Sequence, residues 1–162
     1  MGRLIRMREF AIYPGTFDPI TNGHVDIIKR ARDIFGKVII AIAVSERKNP
    51  MFSIEERVAM VKIATGEIDN IEVVSFSGLL VSCCQDYGIK TIVRGLRVAS
   101  DFEYELQIGY ANTSLDKEID TVYLMPSLKN AFISSTIVRD IIRHDGNVMH
   151  LVPKSIEKFL KK

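Results

Sequence analysis

The chain has 162 residues, of which 47% are hydrophobic, and carries 22 Lys plus Arg against 20 Asp plus Glu for a net charge of +2. That length and apolar content suit one domain with a full core, and the near-balance of charge excludes both disorder and nucleic-acid binding through bulk charge. No apolar run approaches the roughly 20 residues of a membrane span. The two cysteines, Cys83 and Cys84, are adjacent, a spacing that suits neither a disulfide nor a zinc site. They read as reduced helix residues facing partly inward, as fits a cytoplasmic protein.

Residues 1–7 read as a flexible extension of a single domain spanning 1–162. The start is basic but no signal-peptide core follows it. Arg6 stands where a myristoylation motif wants Ser or Thr, and Met7 is an alternative start. The first strand is expected over Glu9–Tyr13. A Gly/Pro-rich turn follows, and a helix opens on Asn22-Gly23-His24, with Val25, Ile28, Ala31 and Phe35 on one face and Gly36 ending it. A second strand, Val38–Val44, leads into the loop Ser45–Pro50. Ser53 and Glu56 form a capping box that opens a helix to about Thr65.

The remaining strands are expected at Ile71–Phe76, Thr91–Arg94 and Thr121–Leu124. A short apolar helix, Gly78–Tyr87, is stopped by Gly88, and Ser100 with Glu103 reads as a second capping box opening a helix to about Leu115. Helices at Ser135–Arg143 and Pro153–Leu160 complete the set. Alternating elements with Ile- and Val-rich strands imply an α/β fold, a Rossmann-like doubly wound parallel five-stranded sheet with helices on both faces. Ligands of such sheets bind beyond the carboxyl ends of the strands, near the point where strand order reverses. Four loops rich in charge and small polar groups should therefore meet on one edge.

In the first loop, Tyr13-Pro14-Gly15-Thr16-Phe17-Asp18-Pro19-Ile20-Thr21-Asn22-Gly23-His24 runs from strand to helix. Free N–H groups at the helix start make an anion site, and His24 can donate to a phosphoryl oxygen. An isolated TxGH could equally be a plain turn capped by Thr21 or Asn22; the full segment after a strand favours nucleotide chemistry. In the second loop Lys48 can reach a phosphate, although a solvated lysine is the ordinary alternative. Arg94 and Arg97 flank Gly95 at a strand's end, which suits phosphate binding over surface pairing with Asp101, Glu103 or Glu105. Ser134, Ser135 and Thr136 precede an amphipathic run, where hydroxyls can cap the helix and bind phosphate together. Asp18, Glu103 and Glu105 are the carboxylates nearest these loops. No cluster has metal-ligand spacing, so a divalent ion would arrive with a nucleotide. No nucleophile–base pair suggests a covalent intermediate.

Taken together, the TxGH turn, Arg94-Gly95-Leu96-Arg97 with Asp101-Phe102-Glu103-Tyr104-Glu105, and Ile133-Ser134-Ser135-Thr136 resemble bacterial phosphopantetheine adenylyltransferases, of the HxGH-type nucleotidyltransferase superfamily. The resemblance runs from about Arg8 to Phe159. It implies transfer of AMP from Mg-ATP to 4′-phosphopantetheine, giving dephospho-coenzyme A and pyrophosphate, by direct attack of the acceptor phosphate on the α-phosphorus. It assigns Thr16 and His24 to the reacting phosphates, Lys48 and Arg94 to the acceptor phosphate, and Leu80 to the pantetheine arm. Phe17, Gly95, Leu96, Arg97, Glu105 and the segment Asn130, Ala131, Phe132, Ile133, Ser134, Ser135 and Thr136 would contact ATP. Mg2+ would come with ATP, with no metal held by the protein alone. The resemblance further implies a cytoplasmic homohexamer inhibited by coenzyme A, with neither nucleic-acid nor membrane partners. One departure is Asn130, where relatives often carry an aromatic residue; stacking on adenine from that position is lost here.

Two other readings remain. A cytidylyltransferase or a nicotinamide-mononucleotide adenylyltransferase would share the scaffold, but the RGLR and DFEYE segments favour the pantetheine branch. A non-catalytic nucleotide-binding regulator would tolerate loss of His24 or Lys48, and both are present.

Overall fold

A computed structural model describes residues 9–44 and 49–161. Five strands, β1 (Phe10–Gly15), β2 (Lys37–Ala43), β3 (Ile71–Phe76), β4 (Thr91–Gly95) and β5 (Asp120–Leu124), form one sheet in the order β3-β2-β1-β4-β5. Every pairing is parallel, as the apolar runs predict: Val38, Ile39, Ile40, Ala41 and Ile42 are all buried, because both faces of the sheet are covered.

The helices are α1 (Asn22–Phe35), α2 (Ile54–Thr65), α3 (Leu80–Asp86), α4 (Ala99–Leu115), α5 (Ser135–Arg143) and α6 (Glu157–Leu160), with 3-10 turns at Leu128–Asn130 and Lys154–Ile156. Side chains alternate across the strands. Ala11, Tyr13, Val38, Ile40 and Ile42 pack with Ile28 and Ala31 of α1, Met60 and Val61 of α2, and Val138 of α5. On the opposite face Ile12, Ile39, Ala41 and Ile92 meet Val81, Cys83 and Cys84 of α3. Both cysteines are free and buried, as expected, and burial pushes the Cys84 thiol up to about 12.

Strand order reverses between β1 and β4. These two are in register at Ile12 and Ile92, below the ends that carry Gly15 and Gly95, so the crevice for a ligand opens there.

Several boundaries differ from expectation. β1 continues past Tyr13, because Pro14 and Gly15 stay in register with Ala41 and Ile42 of β2. Beyond Ile12, toward β4, a residue without an N–H costs the ladder little. α3 starts at Leu80, since Gly78 takes φ +84 and stays outside the helix. The Ser53–Glu56 capping box is present in both directions, whereas the second expected box is not. α4 begins at Ala99 with Val98 as an extended N-cap that offers no side-chain bond, so Ser100 lies inside the helix. The backbone bond from Asp101 to Val98 O starts the helix before the Ser-x-x-Glu pattern can act. A capping box that sequence did not indicate opens α1, between Thr21 and His24.

Among the described residues no helix is long and apolar enough to cross a membrane. Among the described residues, α4 leaves the large apolar side chains Phe102, Tyr104, Tyr110 and Leu115 exposed.

Candidate active site

A cleft of about 410 Å³ lies at the carboxyl ends of β1 and β4, where sheet order reverses. Its walls come from the turn after β1, the end of β4, Asn49-Pro50 ahead of α2, and the start of α5.

The first wall is set by how α1 begins. The Thr21 hydroxyl accepts from His24 N–H at 3.4 Å, satisfying one of the helix's orphan donors. His24 Nδ1 in return accepts from Thr21 N–H at 3.0 Å and lies 3.1 Å from the Thr21 hydroxyl. With Nδ1 accepting, the ring proton belongs on Nε2. Burial, with Arg97 and Arg94 adding their positive charge, lowers the His24 pKa to about 4. His24 therefore lines the cleft as a neutral N–H donor.

Beneath it, Phe17 packs edge-on against Tyr13 at 5.5 Å and against the His24 ring at 4.9 Å. Phe17 takes a positive φ of 49°, uncommon for such a residue. Gly15 makes room: a Cβ there would sit 2.9 Å from the Phe17 ring. Burial also pushes the Tyr13 phenol well above its usual range, so it stays neutral beside the arginines. Asp18 is 3% exposed, and its carboxylate accepts Met51 N–H at 2.8 Å and Phe52 N–H at 2.9 Å. It ties the turn to the entrance of α2.

The second wall is cationic. Arg94 donates from Nε and Nη2 to Glu105 at 2.6 and 2.5 Å, and from Nη1 to Pro14 O at 3.2 Å. Burial opposes the charge on Arg94, but the Glu105 carboxylate raises its pKa on balance. The Tyr123 hydroxyl donates to Glu105 O at 2.8 Å and steadies that turn of α4. Arg97 reaches Ile133 O at 3.4 Å and Asp101 at 3.4 Å, linking β4 to the segment before α5.

The third wall is the start of α5. The Ser134 hydroxyl caps Ile137 N–H at 3.1 Å. Ser135 donates to Pro19 O at 2.8 Å, and Thr136 Oγ1 accepts from Arg139 at 3.2 Å, which leaves the Thr136 O–H proton available to a ligand. The N–H groups of Ser135 and Thr136 begin the helix and have no carbonyl one turn back to bond. Cap and tether thus share consecutive hydroxyl residues at a helix start whose first N–H groups are free.

Thr16, Phe17, His24, Arg94, Gly95, Arg97, Glu105, Ile133, Ser134, Ser135 and Thr136 all line this cleft. Lys48 lies outside the described residues. Leu80 opens α3 and packs on the opposite face of the sheet. Leu96 donates its N–H to Leu124 O at 2.9 Å and, like Ala131, is not part of the cleft lining. Asn130 and Phe132 border a separate depression with Asp26 and His150. The Asn130 amide donates to Asp26 and to Ser127 Oγ, each at 3.3 Å, and Asp26 also accepts Ser127 N–H at 2.5 Å. Asn130 is thus a strut between α1 and the β5–α5 connection. Sequence reasoning missed Arg139, which donates to Asp18 O at 2.7 Å, and Arg57, most of whose partners are distant in sequence.

Residues 12–141 match the cytidylyltransferase-like family model. The chain is 58% identical to a Helicobacter pylori (strain Shi470) protein named phosphopantetheine adenylyltransferase, over 96% of this chain and 99% of the relative. It is 60% identical to the Campylobacter concisus protein of the same name, over 96% and 99%. The chain belongs to the phosphopantetheine adenylyltransferase family. A Helicobacter acinonychis relative of that family is 56% identical over the same shares. The family assignment agrees with a cleft built from a TxGH helix start, a strand-end arginine pair and a hydroxyl-rich helix start.

In this cleft the two carboxylates that could bind a cation are already used, Asp18 by two N–H groups and Glu105 by Arg94. Among the described residues no group of three or more His, Cys, Asp or Glu is placed to hold a metal.

Proposed function

We propose that this chain transfers the adenylyl group of ATP to 4′-phosphopantetheine, releasing pyrophosphate and forming dephospho-coenzyme A, as a step of coenzyme A synthesis. The observation that carries this reading is the neutral His24 facing the same cleft as Arg94, Arg97 and the α5 start, in a chain of this family.

An acceptor phosphate is already an anionic nucleophile and needs no general base. Its oxygen forms a bond to the α-phosphorus while the bond from that phosphorus to the bridging oxygen breaks, and pyrophosphate leaves with the electron pair. Catalysis then rests on position and on charge stabilisation. The His24 Nε2–H donates to an α-phosphoryl oxygen as charge crowds there, and Thr16 touches the same phosphates. Arg94 and Lys48 hold the acceptor phosphate, and Leu80 lines the pantetheine arm. Glu105 orients Arg94 through its two-point bond. The start of α5, with Ser134, Ser135 and Thr136, takes the outer phosphates, and Arg97 with Phe17, Gly95 and Ile133 contacts the rest of ATP; Leu96, Asn130, Ala131 and Phe132 lie outside this cleft. Mg2+ would arrive with ATP and supply positive charge to its phosphates, with no carboxylate of the cleft needed to hold it.

The outer surface supports assembly. Phe102, Tyr104, Tyr110 and Leu115 of α4 are exposed and suit contact with other copies. We propose a cytoplasmic homohexamer inhibited by coenzyme A. Light scattering behind gel filtration should return the mass of six chains; a monomer would refute the assembly.

Pyrophosphate release with Mg-ATP tests the reaction. It should appear with 4′-phosphopantetheine and be absent with nicotinamide mononucleotide or with no acceptor. Release with nicotinamide mononucleotide instead would transfer the chain to another branch of the superfamily. ATP binding without release would favour a regulator.

A further inference from the structure

Arg57 lies in α2 and is 1% exposed. Burying a guanidinium costs several kcal/mol unless its donors are met. Here Nε donates to Phe52 O at 3.1 Å, Nη1 to Thr16 O at 2.9 Å and Ala43 O at 2.7 Å, and Nη2 to Val44 O at 3.0 Å. Among the described residues no carboxylate is bonded to it; Asp18 and Glu55 favour its charge only through space.

The four carbonyls come from three places: the turn after β1, the end of β2, and the entrance to α2. Carbonyls at the carboxyl ends of parallel strands run out of ladder partners and turn their negative ends toward the ligand side of the sheet. A planar fork can gather several of them in a fixed relation, which a lysine ammonium cannot. It also puts a positive charge behind Thr16, a residue of the cleft wall. Asp18 bridges the same gap with opposite chemistry, accepting the N–H groups of Met51 and Phe52. Arg57 anchors the backbone on the N-terminal side of residues 45–50, and Asp18 anchors it on the C-terminal side.

We propose that Arg57 is a positioning residue for adenylyl transfer: it holds Thr16, Ala43 and Val44 carbonyls on one guanidinium and so sets where Thr16, in the cleft wall, stands relative to the end of β2. The proposal rests on the adenylyltransferase reading. A hydrophobic residue of similar volume would leave these carbonyls without donors, so the fork answers to the geometry of the strand ends.

The test compares Arg57→Lys and Arg57→Met with wild type in the full-length chain, well below each variant's Tm. Arg57→Lys should keep the wild-type circular dichroism and an ATP Kd, by calorimetry, within about threefold. Its kcat should fall by about 100-fold, the scale of an ångström-level misplacement, with Arg57→Met at least as low. In Arg57→Ala, millimolar methylguanidinium should restore a tenfold or greater share of kcat, and the same addition should leave His24→Ala unchanged. Folded Arg57→Lys and Arg57→Met with wild-type kcat and acceptor KM would overturn the proposal. So would loss of fold together with activity in Arg57→Lys, because Arg57 would then serve the fold alone. Failure of the adenylyltransferase reading is separate: it would appear as no pyrophosphate release from wild type with 4′-phosphopantetheine.

Discussion

His24→Ala is expected to lower kcat by about 10²–10³-fold, the range found when one preorganised donor to a developing oxyanion is removed. The KM for ATP should change by no more than about threefold, because the contact strengthens in the transition state and is weak in the ground state. Steady-state kinetics at saturating acceptor separates the two, and a large rise in ATP KM at constant kcat would assign His24 to ground-state binding. The pH profile adds a check. His24 accepts at Nδ1 from Thr21 and has a pKa lowered to about 4, so it is neutral and competent well below pH 6. The acid limb of kcat/KM for the acceptor should therefore follow the acceptor's own phosphate, near about 6. Stability carries the matching sign. The folded pKa lies below the ordinary histidine value of 6.5, so the contribution of His24 to folding is complete above about 6.5 and is lost as pH falls toward 4. Denaturation at pH 7 and pH 5 should show less of this loss in His24→Ala.

Arg94→Ala should have the second large effect, on two readouts at once. The acceptor phosphate loses its charged fork, so kcat/KM for 4′-phosphopantetheine should drop by at least about 100-fold, on the scale of a charge-assisted bidentate contact. Glu105, whose side chain is 11% exposed, is left with an unpaired charge. Stability should fall by about 2–3 kcal/mol, under the full cost of breaking a buried pair because the Arg94 side chain is 26% exposed. Arg94→Ala/Glu105→Gln should regain much of that stability and none of the acceptor affinity. A double variant that recovers acceptor KM would show that Arg94 serves Glu105 and not the substrate. Urea denaturation and acceptor kinetics on the same three proteins provide both readings.

The elements most legible in sequence are those with a local signal. β2 is read from Val38-Ile39-Ile40-Ala41-Ile42 because a strand covered on both faces needs no alternation. The Ser53–Glu56 box is read from spacing alone because both of its bonds span three residues. The same pattern misleads at Ser100, since helix start depends on where the preceding chain turns, and Val98 turns it. The site divides in the same way. His24, Arg94 and Ser134 stand at strand and helix ends, where residue type and position together imply anion chemistry.

Arg57 and Arg139 carry no such mark. Arg57 bonds to Thr16 and Ala43, 41 and 14 residues away, and Arg139 to Asp18, 121 residues away. Nor does Asn130 carry one; its contact with Asp26, 104 residues back, joins α1 to the β5–α5 connection.

By itself the sequence determined the order of strands and helices, their apolar faces, and the residue types at each strand's carboxyl end, because these depend on neighbours within a turn or two. Only the tertiary structure decided that β4 lies beside β1, which N–H of His24 is left to donate, and that Glu105 occupies one side of Arg94. Those depend on which distant groups meet in a site of low dielectric, where each donor must find one particular acceptor.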